Sequence, residues 1–244
     1  MVCPAGPRCG ILHGVDQVAS PLGGDASLVA RLVTAGVWLV VGFLVGLGIR
    51  RLTVWLSERE KIEYGSRPWQ VWGPPILNAA LFAAFAYRLG PSPLLILKSC
   101  LVAVFVQVVF FDFEHRLILD RVMFPAMAAA ILFSFFTPGL GVVNSVLTGL
   151  AAGLLFLALA LIGSAIYGAD ALGFGDVKLV AFIGLVTGWT GFAIISALFL
   201  GVLFAGVTSL LLVILRIRTM KDAIPYGPFL SAGALVVLLE QGAK

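Results

Sequence analysis

At 244 residues, 61% hydrophobic and 11% charged, with a mean hydropathy of +1.09, this chain excludes a soluble globular domain. Its net charge of +4 says little about nucleic acid, because most Lys and Arg residues sit at the ends of apolar runs, as membrane topology requires. Three cysteines, Cys3, Cys9 and Cys100, close at most one pair and exclude a disulfide framework.

Apolar runs of roughly 17–25 residues mark membrane helices, and here they follow one another with short polar connections. The reading is an all-α polytopic helix bundle of about eight transmembrane helices. Residues 1–26 read as a short extracytoplasmic tail without the features of a cleavable signal peptide. Residues 27–241 read as one membrane-embedded domain. The first span runs from Ser27 to Ile49 and carries Gly42, Gly46 and Gly48, small residues that let helices pack closely. Arg50 and Arg51 close it, and residues 50–73 form a short cytoplasmic connection in which Leu52 to Leu56 suits an interfacial helix. Pro74-Pro75 starts a short second span to Tyr87. The third, from Leu94 to Phe111, includes Cys100 as a small packing residue and delivers Asp112 at its end. Arg121 to Phe136 makes the fourth and Val143 to Tyr167 the fifth, with Gly149 and Gly153 as a second small-residue face. The sixth runs from Val177 to Thr187, the seventh reaches Leu215, and Pro225-Tyr-Gly-Pro228 introduces the last, ending near Leu239.

Charge asymmetry orients these spans. The connections after the odd-numbered spans hold Arg50, Arg51, Arg59, Lys61, Arg67, Arg116, Arg121, Lys178, Arg216, Arg218 and Lys221, whereas the other side holds Arg8, Arg31, Arg88, Lys98 and Lys244. The positive-inside rule then places both termini outside. It also puts Asp112, Glu114, Asp120, Asp170 and Asp176 together on the cytoplasmic side.

Two stretches carry chemistry. Gly173-Phe-Gly-Asp176-Val-Lys178-Leu sets an acid at the start of an apolar run, and Phe111-Asp112-Phe-Glu114-His115-Arg116 sets another at the end of one. Ionisable groups near hydrocarbon are costly and are functional candidates by default. Two carboxylates within a few ångströms do not both ionise easily, so one keeps a proton while the other stays charged. Such a pair can take a proton from water and polarise a carbonyl at once. The chain has two histidines, His13 and His115, too few for an ordinary zinc hydrolase centre. No histidine lies where a serine nucleophile would need its base. Each acid also has an ordinary reading. Asp112 is four residues from Arg116, which suits a helix-face pair. Asp120 suits an N-cap, Glu114, His115 and Asp170 suit solvated loops, and Lys178 suits a topology anchor. Residue chemistry alone leaves both readings open.

The segment Gly173-Phe-Gly-Asp176-Val-Lys178, following the Asp112 to Asp120 spacing, resembles the type IV prepilin peptidase family, membrane aspartic proteases with a GxGD motif. Ile224-Pro-Tyr-Gly-Pro-Phe-Leu230 resembles that family's late proline–aromatic–glycine segment. The resemblance runs from about residue 28 onward and implies Asp112 and Asp176 as the catalytic pair. Gly173, Gly175, Lys178, Asp120, Glu114, Pro225, Gly227 and Pro228 are then supporting or substrate-binding candidates.

What the resemblance implies is cleavage, after a glycine, of the basic leader of type IV prepilins or pseudopilins at the cytoplasmic face of a prokaryotic membrane. The implied partners are that substrate, with its apolar N-terminal helix, and the lipid bilayer, with no nucleic acid. No cofactor is implied for proteolysis. S-adenosylmethionine enters only where N-methylation is retained. Many members carry two CxxC pairs, resembling a zinc site, between the first two spans. Residues 50–73 here hold no cysteine, so zinc is not expected, and Asn78 stands in the region of a further family acid. Two other classes compete. One is a proton- or cation-coupled transporter using the same aspartates, which predicts inverted repeats. The other is a non-catalytic pilus or secretion assembly protein, which has no need of both acids.

Overall fold

Among the described residues eight α-helices follow from the apolar runs, and their ends depart from the sequence reading where local capping chemistry differs. The computed structural model of the chain describes residues 22–61, 65, 67–167, 173–216 and 225–241. Residues 1–21 of the expected tail and Asp170 lie outside the described residues, as does most of the basic stretch from Arg216 to Ile224, whereas residues 22–26 are not tail but the start of the first helix. The helices are α1 (Leu22–Arg59), α2 (Pro68–Leu89), α3 (Pro93–His115), α4 (Asp120–Ser134), α5 (Val142–Tyr167), α6 (Phe174–Thr187), α7 (Ala193–Ile214) and α8 (Gly227–Glu240). A single 3-10 turn, Thr190–Phe192, precedes α7.

The largest change is in α1. It does not stop at Arg50 but continues to Arg59, giving 38 residues, roughly 57 Å at 1.5 Å per residue. Arginine, leucine and glutamate are good helix formers, and no glycine or proline follows Arg51 until Gly65. The connection expected over residues 50–73 therefore shortens to residues 60–67. Pro74 and Pro75 do not start α2 but lie inside it. Proline suits the first turn of a helix, and Pro68 is the one placed there.

Four helices, beginning at α1, α3, α5 and the turn before α7, are long and apolar enough to cross a membrane. Helices α4, α6 and α8 have only 14 or 15 residues, about 21–23 Å. They are short of the ~30 Å hydrocarbon thickness.

In lipid, helices associate by close packing rather than by escape from water, so small residues mark their contacts. A Cβ on Gly42 would meet Asn78 O and Phe82 Cβ of α2 at 2.8 Å, and one on Gly46 would collide with Pro75. A Cβ on Gly184 of α6 would meet Gly149 Cα of α5 at 2.8 Å. The expected faces at Gly42 and Gly46 and at Gly149 and Gly153 are thus contact faces, whereas Gly48 has nothing within 4 Å of where a Cβ would stand. Asn78 serves the same α1–α2 contact, its Nδ2 donating to Gly42 O at 2.8 Å.

Helix α6 is the central post: Leu179, Val180, Phe182 and Ile183 are fully buried. It is covered by α4, α5 and α8, and its Phe182 ring lies 5.1 Å from that of Phe105 in α3. Cys100, by contrast, is exposed on α3 rather than packed.

Candidate active site

One end of the bundle gathers the last turns of α1 and α3 with the first turns of α4, α6 and α8. The sequence folds this way locally because each acid lies beside a helix boundary. Asp112 is three residues from the end of α3 at His115, and the chain there turns through Arg116 in the left-handed region (φ 53°). The Arg116 N–H donates to Asp112 O at 2.8 Å and closes the helix. Asp176 lies in the first turn of α6, three residues after Gly173 at the N-cap, and its N–H donates to Gly173 O at 3.0 Å.

Asp112 is 5% exposed, and Asp176 is half-buried. Asp176 lies within range of the Asp112 charge. The third wall is the start of α8: the Gly227 backbone N–H faces Asp112, although Asp112 Oδ2 has no well-aligned hydrogen bond. A Cβ at Gly227 would stand 2.6 Å from Asp112 Oδ2. Only a residue without a side chain lets α8 close on the carboxylate. The N-termini of α6 and α8 both point at the acids, and helix N-termini carry partial positive charge that favours anions.

The other candidates separate into three groups. Gly173 abuts Asp176 and Gly227 abuts Asp112, while Gly175, Pro225 and Pro228 are their neighbours in the chain. A Cβ at Gly175 would press on Ile118 at 3.0 Å, so the α3–α4 connection rests on the start of α6. Pro225 leads into α8, where Gly227 and Pro228 are buried.

Lys178 and Asp120 form an ion pair at 2.5 Å joining the first turns of α6 and α4. Asp120 is therefore the first residue of α4, with Leu119 at the N-cap, and is not itself the cap. Lys178 has a partner, and its Nζ also lies 5.5 Å from the Phe124 ring. Asp112 makes no ion pair within 4.0 Å with Arg116, contrary to the helix-face expectation. The Arg116 charge nonetheless lies within range of Asp112.

Glu114 and His115 depart furthest from the solvated-loop reading. They form the last turn of α3, with side chains 4% and 7% exposed. Glu114 Oε1 accepts from Gly65 N–H at 2.9 Å and lies 3.7 Å from Arg50 Nη1. Arg50 Nη2 donates to Gly65 O. Ser57 Oγ is 3.5 Å from His115 Nε2. Sequence reasoning treated Arg50 as a helix end, and so missed the pair that fixes α1 and the connection after it to the end of α3 bearing Asp112. The available signal was the lack of any helix stop after Arg51. No group of three or more His, Cys, Asp or Glu placed to hold a metal occurs among the described residues.

Comparison with known proteins bears on this site. The sequence profile of the type IV leader peptidase family matches residues 95–214, which contain both aspartates. The chain is similar to the prepilin leader peptidase/N-methyltransferase of Aeromonas hydrophila, at 27% identity over 67% of this chain and 56% of that protein. It is similar to the protein of the same description from Bacillus subtilis (strain 168), at 32% identity over 67% of this chain and 63% of the relative. A third, from Myxococcus xanthus (strain DK1622), is 30% identical over 57% of this chain and 42% of the relative. The chain thus spans about half the length of the curated relatives it matches. No solved structure matches it.

Proposed function

The chain belongs to the type IV leader peptidase family, and from that premise we propose that it is an intramembrane aspartic endopeptidase using Asp112 and Asp176. What supports the proposal is that Asp176, in the first turn of α6, lies within electrostatic range of Asp112, whose carboxylate has room beside α8 because Gly227 carries no side chain. Two acids from different helices, both removed from bulk solvent, hold one proton between them. The ionised member takes a proton from water as that water attacks the scissile carbonyl carbon. The protonated member donates to the carbonyl oxygen as the tetrahedral intermediate forms. Collapse of the intermediate breaks the C–N bond: the proton taken from water passes to the departing amine, and one hydroxyl proton of the intermediate returns to the aspartate that had donated, restoring the singly protonated pair.

The substrate in this proposal is a prepilin or pseudopilin, cut after a glycine between a basic leader and an apolar helix. The site is at the cytoplasmic end of the bundle, in an inner membrane. The aspartates supply negative charge toward a basic leader, and an apolar helix can lie against the bundle in the bilayer. Lys and Arg residues concentrate in the connections at the aspartate end, which supports this orientation.

The residues present do not fit a zinc site of the two-CxxC kind, since no cysteine occurs between α1 and α2. No step is assigned to a metal or to S-adenosylmethionine.

The test is leader cleavage of a prepilin in liposomes by the wild type, Asp112→Asn and Asp176→Asn. Asparagine keeps shape and removes the titrating proton, so both variants should fold and lose at least about 100-fold in rate. Cleavage at the wild-type rate by either would reject the dyad.

A further inference from the structure

The opposite end of the bundle holds an open cleft of about 550 Å³, within the size range of small-molecule sites. Its walls are mostly apolar, with Leu94, Leu97 and Leu101 from α3 and Phe133 from α4, and Lys98 lines it as well. Lys98 precedes Asp112 by 14 residues, so the two lie roughly 21 Å apart along α3. The cavity is therefore separate from the aspartate site.

Lys98 is 4% exposed, and no Asp or Glu among the described residues pairs with it within 4.0 Å. An ammonium has three donors, and one of them goes to Leu238 O at 2.6 Å, near the end of α8. The neighbouring carbonyl at the end of α6, Thr187 O, already accepts from Gln241 Nε2 at 2.9 Å. Lys98 Nζ has no second hydrogen-bond partner among the described residues, which leaves donors for an occupant of the cavity. Charged groups at membrane depth pair with an opposite charge or face a polar cavity.

The same end carries exposed aromatics, Phe135, Phe136, Trp189 and Phe192. Trp189 and Phe192 pack against each other at 6.0 Å between ring centroids. An exposed tryptophan such as Trp189 suits the headgroup level of a bilayer.

We propose that this cavity binds an anionic membrane phospholipid, with Lys98 against the phosphate and an acyl chain along Leu94, Leu97 and Phe133. The lipid supplies the negative charge that the protein does not provide, and its chain fills apolar volume that water would fill poorly.

The test uses the full chain in a neutral detergent and measures thermal unfolding with added phosphatidylglycerol, phosphatidylcholine or inorganic phosphate. Phosphatidylglycerol in about hundredfold excess over its Kd should raise the Tm of the wild type by roughly 5 °C or more. The other two should not. Lys98→Met keeps the apolar stem and removes the charge, and Leu94→Trp fills the apolar wall but leaves Lys98. Both should lose at least half of the shift, and native mass spectrometry should find a phosphatidylglycerol retained by the wild type alone. A full shift in Lys98→Met, or an equal shift with phosphatidylcholine or free phosphate, would overturn the proposal. Where Lys98→Met fails to fold because the end of α8 loses its donor, Leu94→Trp decides: full retention of the lipid by that variant overturns it as well.

Discussion

Gly227 and Asp112 are in contact across the α3–α8 boundary, with room for a hydrogen and none for a methyl group. A Cβ at Gly227 would reach Oδ2 at 2.6 Å and the carboxyl carbon at 3.1 Å. Gly227→Ala should therefore push the carboxylate or the start of α8 aside while leaving the packing of α6 intact. Misplacement of a reacting group by about 1 Å can cost on the order of 100-fold in rate. The expected outcome is a loss of that order in kcat for leader cleavage, with helix content by circular dichroism unchanged. Wild-type turnover by a folded Gly227→Ala would remove α8 from the site.

A pair of acids that works with one proton shared is active only in its singly protonated form. The rate of cleavage should rise and then fall as pH increases, giving a bell whose two limbs belong to the pair and not to either residue. The measurement is kcat/KM against pH in liposomes, with folding checked at each pH. A rate that climbs without a maximum from roughly pH 4 to pH 9 would contradict a shared proton.

Glu114 and Arg50 are both removed from solvent, at 4% and 13% side-chain exposure. Removing one member of a buried ion pair strands the other, at a cost of about 3 kcal/mol. Glu114→Ala should lower Tm by roughly 6–12 °C for a chain of this size. The double replacement Arg50→Met with Glu114→Leu should recover much of that loss, because no charge is then left unpaired. Thermal unfolding of the three variants in one detergent measures this directly. Equal losses for Glu114→Ala and the double variant would mean that the pair acts through packing alone.

The Asp120–Lys178 pair is shorter, at 2.5 Å, but more open, at 55% and 31% exposure. Solvent screening limits such pairs to about 1 kcal/mol or less. A double-mutant cycle with Asp120→Asn and Lys178→Met should give a coupling energy within that range, and cleavage within a few fold of wild type. A loss as large as that of Asp112→Asn would move this pair from support into the chemistry.

The sequence by itself determined the helix order, the two small-residue faces and the positions of Asp112 and Asp176. These properties are local: an apolar run declares a helix, glycines four apart declare a close face, and an acid at the edge of such a run is conspicuous. Tertiary structure alone decided where helices run on past their apolar stretches and which polar groups meet. The run of good helix formers after Arg51 permitted α1 to continue, but its end at Arg59 rather than elsewhere before Gly65 was left to packing. Nothing near Glu114 states that it is buried against Arg50 and Gly65, which are 64 and 49 residues away in the chain. The same holds for Gly227, whose role appears only when α8 is laid on α3. Burial and pairing are sums over residues distant in sequence, so they became visible only once the helices were assembled.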